Sequence, residues 1–210
     1  MLKDSDFAYS KNRQQVTDIL GCEPLNQLQT SNSHIAAGED LCLACGLCCD
    51  GTIFSDVQLL AGDDAERLEK LGLVVKCSGS HPKFVQPCVA HDGCRCRIYD
   101  ERPSYCREFD CALLKSWQDG SIAKEAALQI IRMAREQVAL VKELLGRLGD
   151  KEVTLPLGVR FRRTAKRLER RNPDKANSDL FSKLTLAVHD LNSLIQKEFY
   201  PGDRRSSDEM

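Results

Sequence analysis

The last ninety-nine residues hold no cysteine, and nowhere do ~18 or more apolar residues follow one another. The opening MLKDSDFAYSKNRQQVTDIL has no apolar run of signal-peptide length either. These absences argue against a secretory leader and a membrane-spanning helix, and they predict a cytoplasmic protein with no membrane partner. A G-x-G-x-x-G turn, a P-loop and a serine nucleophile elbow are also missing, so ordinary nucleotide-dependent chemistry finds no support. Excess charge is scarce: the formal net charge is −1. The molecule as a whole therefore does not attract nucleic acid or an anionic surface, and any such contact must come from a local patch.

What the chain does have is eleven cysteines, all between Cys22 and Cys111. An odd number cannot all pair within one chain, and a reducing compartment does not favour stable disulfides. Metal or redox chemistry is the leading explanation. With 210 residues, one main domain with an appendage is expected, dividing near residue 115.

The expected class is α+β: a small Cys-rich domain of short strands and helices, followed by a helical hairpin or bundle. Residues 1–40 are polar, with a faint helical signal in Val16, Ile19 and Leu20 before Gly21, and read as a flexible lead-in. Residues 41–115 form the metal-binding domain. Within it GTIFSDVQLL suggests a short strand, DDAERLEKLGL a short helix starting near Asp63 and ending at Gly72, and VVKCSGSHPKFVQPC a hairpin. The helical region spans 120–200. Ala127, Ile131, Ala134, Val138, Val141, Leu145 and Leu148 repeat at 4-3 spacing in its first helix. A second helix carries Leu157, Phe161, Ala165 and Leu168 and ends at Asn172 and Pro173. A third runs from about 179 to 199 with Leu184, Val188, Leu191 and Ile195 one turn apart. Residues 201–210 read as a disordered tail.

The cysteines fall into two clusters. LCLACGLCCD supplies Cys42, Cys45, Cys48 and Cys49, and PCVAHDGCRCRIYDERPSYCREFDC supplies Cys88, Cys94, Cys96, Cys106 and Cys111. Thiolates are the softest ligands a protein offers and select zinc, iron–sulfur or copper(I) over magnesium or calcium. Cys42 and Cys45 frame a knuckle in which Gly46 lets the backbone turn, a pattern that fits zinc or iron. Extension to Cys48 gives the C-x2-C-x2-C run used by cubane iron–sulfur clusters, although the C-x3-C-P that follows in ferredoxins is absent. Adjacent cysteines point apart, so Cys48 and Cys49 are poorly placed to complete one tetrahedron and suit two metals or a bridge. Leaving Cys94 aside, the clustered cysteines make eight thiolates, enough for two four-coordinate centres.

C-x2-C-G-x-C-C, a further C, then C-x-I-Y-x-x-R-P-x-x-C-R-x-F-x-C resembles the CxxCxxCC cysteine-cluster family of YkgJ type, whose members are described as zinc- or iron-chelating. The likeness covers about residues 42 to 114. It implies Cys42, Cys45, Cys48, Cys49, Cys88, Cys96, Cys106 and Cys111 as metal ligands. Flagellin lysine N-methylases share the domain, where it is associated with an iron–sulfur cluster. Their methylase activity is not carried over, because no second domain for a methyl donor is recognisable here. Cys94 departs from the pattern as an extra thiol two residues before Cys96. Cys22 and Cys77 match nothing and read as bystanders.

Among the histidines, His91 inside CVAHDGC is the one candidate ligand, while His34, His81 and His189 read as structural or surface residues. Asp92, Asp100 and Glu101 are hard ligands, better suited to holding the loop or its arginines. Arg102 and Arg107 flank the last thiols and could offset the negative charge of thiolate centres. Tyr99 and Pro103 set the turn between Cys96 and Cys106, with Arg102 held extended by the proline that follows it. VRFRRTAKRLERR, residues 159–171, makes a basic amphipathic helix, read first as a solvated face and second as a contact for nucleic acid or an acidic partner.

The leading reading is a metal-binding protein that holds an iron–sulfur cluster or Zn2+ in clustered thiolates. The alternatives are an iron–sulfur-dependent redox or protein-modification enzyme or accessory factor, and a structural zinc module presenting the basic helix to nucleic acid or a protein partner. The sequence singles out no catalytic residue.

Overall fold

The computed structural model describes residues 39–78, 81–93, 96–171 and 174–200. The expected lead-in, except for its last two residues, and the expected tail lie outside them, as do Cys22, Cys94 and His34.

The chain builds a mixed α+β structure. A first helix, α1 (Glu39–Cys45), carries the first two thiols of the leading cluster. It ends at Gly46, whose φ of +68° is a left-handed conformation that favours glycine. Three short strands follow, β1 (Asp56–Gln58), β2 (Val75–Ser78) and β3 (His81–Val85), with α2 (Ala65–Lys70) between β1 and β2. They form an antiparallel sheet in the order β1-β3-β2. Its register sets Phe84 opposite both Val57 and Val75, so β3 carries the central side chain of the inner face. Phe84 is fully buried, which by transfer contributes roughly 1.5–3 kcal/mol.

After a 3-10 turn at Tyr99–Glu101 come α3 (Ser104–Glu108) and α4 (Ala112–Gln118). Three longer helices complete the chain: α5 (Lys124–Arg147), α6 (Leu157–Arg171) and α7 (Lys175–Glu198). The 4-3 seam of α5 is buried as its spacing requires, from Ala127 through Leu148. On α7 the buried line is Leu184, Ala187, Leu191 and Ile195, with Val188 only half-buried. That helix begins at Lys175, earlier than expected, because the Asp174 carboxylate accepts the Asn177 N–H at 2.8 Å and caps it. Similarly, Asp64, not Asp63, caps α2 by accepting the Arg67 N–H at 2.9 Å.

The basic helix α6 differs most from expectation. Arg160 and Thr164 lie on its buried face, while Phe161 and Ala165 are only half-buried. Arg160 Nε donates to Asp150 at 2.7 Å, and the two side chains are 6% and 3% exposed. Arg167 donates to the carbonyls of Leu148 and Gly149, unpaired acceptors at the end of α5. Two of the run's cations thus serve the fold, leaving a smaller outward charge than the sequence suggests. No helix among the described residues is long and apolar enough to cross a membrane.

Two hydrophobic clusters result. The larger joins α5, α6 and α7 with Leu113 and Leu114 of α4 and also takes in Leu41 and Leu47 from the first cysteine segment. The smaller contains Val57, Leu59, Leu68, Leu73, Phe84 and Ala90, around the sheet and α2.

Candidate metal centre

The first cysteine segment is held in place from α5. Arg135 donates to the Ala44 carbonyl at 2.8 Å, and Lys142 binds the Asp50 carboxylate at 3.0 Å. Gly46 and Gly51 sit at its two turns. A Cβ on Gly46 would come within 3.0 Å of His91 Nε2, and one on Gly51 would lie 3.1 Å from the Pro156 backbone. Gly51 also accepts the Leu157 N–H at 3.0 Å, which fastens the end of the segment to the start of α6. The second segment meets the first directly, because the Cys88 N–H donates to the Cys49 carbonyl at 2.8 Å.

Folding brings together all eight of Cys42, Cys45, Cys48, Cys49, Cys88, Cys96, Cys106 and Cys111 on the wall of one cavity of about 150 Å3. A single water needs only ~10–15 Å3 by the same measure. Phe54, Tyr105 and Phe109 pack on one another along this wall, with Phe54 edge-on to both other rings. The nine described cysteines are all free of disulfides. Cys77 stands apart, exposed on β2 opposite Pro82. Among the described residues no three cysteine, histidine, aspartate or glutamate side chains already form a finished ligand set.

Burial pushes the thiols of Cys45, Cys49 and Cys106 up to about 12, and nearby cysteines add to the effect. Cys48, Cys88 and Cys111 rise for the same first reason. At neutral pH these groups stay protonated unless a cation replaces the protons. The backbone works in the opposite direction at three of them. The Leu114 N–H donates to the Cys111 sulfur, and the backbone amides of Leu47 near Cys45 and of Ala90 near Cys88 also favour the anionic form. The Leu114 bond is 3.4 Å long. N–H groups aimed at sulfur stabilise its anionic form and orient it, as outer partners do around bound metals. Donor type, number and hydrogen bonding thus fit a thiophilic metal.

The other candidates take distinct places. His91 lines the cavity, and burial holds its imidazole below the usual value, which leaves a neutral ring. His81 and His189 are exposed on β3 and α7. Glu101 pairs with Arg67 at 2.6 Å. Arg102 lines the cavity, stacks 3.5 Å from the centre of the Tyr99 ring, and lowers Cys106 electrostatically against the effect of burial. Its ψ of 141° is the extended form that Pro103 imposes. Arg107, by contrast, is exposed and donates to Ser104.

Some supporting residues carried no sequence signal. Gln86 is 2% exposed on the cavity wall, and its Oε1 has no hydrogen-bond partner among the described residues. Asp63 accepts both the backbone N–H and the hydroxyl of Ser104 at 2.8 Å, and so ties α3 to the turn before α2. A carboxylate forty-one positions upstream of its partner cannot be recognised from local pattern.

A cavity walled by eight cysteines, drawn from two distant segments and held between a sheet and a helical bundle, has the donor set of a metal-binding site. Residues 41–130 match the family model CxxCxxCC, described as "Putative zinc- or iron-chelating domain", which takes in both cysteine clusters and the start of α5. No curated protein and no solved structure matches the chain.

Proposed function

We propose that this is a cytoplasmic protein whose thiolates Cys42, Cys45, Cys48, Cys49, Cys88, Cys96, Cys106 and Cys111 hold zinc or an iron–sulfur cluster as a resident centre. The observation that carries the reading is the convergence of these eight thiols on one cavity, with the Leu114 N–H donating to the Cys111 sulfur. Hard cations are poorly served by such a wall, whereas zinc and iron accept four thiolates readily.

Purification without oxygen, followed by metal analysis and visible absorption, tests the proposal. Iron with labile sulfide and a broad charge-transfer band assigns the cluster form, and colourless protein with stoichiometric zinc assigns the zinc form. Retention of neither metal overturns the resident-centre reading.

A further inference from the structure

Resting on that reading, we propose that the eight thiols divide into two separate four-sulfur centres. Cys42, Cys45, Cys48 and Cys111 make one, against the helical core. Cys49, Cys88, Cys96 and Cys106 make the other, against the sheet core, and the peptide between Cys48 and Cys49 is the boundary.

Packing carries the division. Cys45 and Cys111 lie against the cluster built from the helices, whereas Cys88, Cys96 and Cys106 lie against the cluster built on the sheet. Leu41 and Leu47, which bracket Cys42 and Cys45, are buried in the helical core. Hydrogen bonds place the rest. The Cys42 carbonyl accepts the Gly46 N–H at 3.1 Å, which closes the first knuckle on itself. The Cys49 carbonyl instead takes the Cys88 N–H, and the Arg97 N–H donates to Ala90 at 2.8 Å while His91 bridges Cys96. Those contacts put Cys49, Cys88 and Cys96 on one side.

Cys48 directly follows Leu47, which is buried in the helical core, and completes the C-x2-C-x2-C run with Cys42 and Cys45. Four sulfurs on each side match the preferred coordination number of zinc and of cubane iron–sulfur clusters.

Loading the reduced full-length chain with 113Cd2+ tests the division by NMR. Two cadmium ions per chain and two signals from all-sulfur sites are expected. Cys45→Ser and Cys111→Ser should displace the same signal, and Cys96→Ser and Cys106→Ser the other. One ion per chain, one substitution that displaces both signals, or Cys45→Ser and Cys106→Ser acting on the same signal would overturn the division while leaving metal binding intact. A chain that takes up no cadmium would remove the functional reading as well. Should a serine variant fail to fold, proton–cadmium correlation on the unmutated chain assigns each cysteine to its ion and decides the same question.

Discussion

The helical half and the cysteine-rich half reach order by different means. Nineteen buried apolar residues make up the cluster on which α5, α6 and α7 rest, against six around the sheet. Short strands and a six-residue core bury too little to hold a loop-rich segment by apolar contact alone, and below a certain size domains depend on metals or disulfides. The difference teaches where to look for the missing stability: the helices have a core of their own, and under the proposed function the sheet half draws on the metal its thiols hold.

The largest expected effect tests that contrast directly. Stripping the metal should remove stabilisation on the order of 10 kcal/mol from the sheet half, the scale of structural zinc sites. Hydrogen exchange read residue by residue should then show lost protection at β1, β2 and β3, with α5 and α7 still protected. Equal loss in both halves would dissolve the distinction.

Next comes the buried ion pair of the helical half. Asp150→Ala leaves the Arg160 guanidinium buried without its partner and should cost about 3–5 kcal/mol. Urea unfolding measures it, and bound metal per folded chain should not change. A smaller effect is expected for Gly46→Ala, where a left-handed backbone alone costs roughly 1–2 kcal/mol and the new methyl would press on His91. Because Gly46 lies in the metal-binding segment, this variant should weaken metal affinity as well as stability, which competition with a chelator would detect.

The smallest effect concerns pH. Burial raises the Asp63 carboxyl, but the hydrogen bonds from Ser104 and Leu60 outweigh it and hold the group below the ordinary carboxylate value. A folded-state pKa lowered in this way contributes stability above the unfolded-state value and loses it as pH falls through the folded one. Unfolding midpoints measured from about pH 5 downward should therefore fall less steeply in Asp63→Asn than in the parent, where about pH 5 is where such losses begin.

How much could be read in advance differs between the halves for the same physical reason. The α5 seam was legible because a buried helix face repeats every three or four residues, and each of its seven expected residues is buried. The hairpin and β1 were legible from breakers and alternation. Helices α1, α3 and α4 were not, since cysteine spacing dominates those segments and obscures periodicity. Moreover, α4 begins with a sulfur in the role of cap, as Cys111 accepts the Leu114 N–H. Arg160 read as surface charge because its counter-ion lies in the preceding turn and not on its own helix. The spacing separates Cys48 from Cys49, but which core each of Cys88, Cys96, Cys106 and Cys111 rests against is not contained in any spacing rule.

The Cys48–Cys49 peptide also has a consequence for the order of assembly. The sheet core and the four sulfurs beside it are complete once residue 106 has been synthesised. The helical core that receives Leu41 and Leu47 closes only when α7 and Phe199 exist. Synthesis from the N-terminus thus delivers one set of ligands with its supporting core well before the other, and domains made first can fold first. Under the proposed division, one peptide bond separates a site whose core can form early from a site whose core waits for α7.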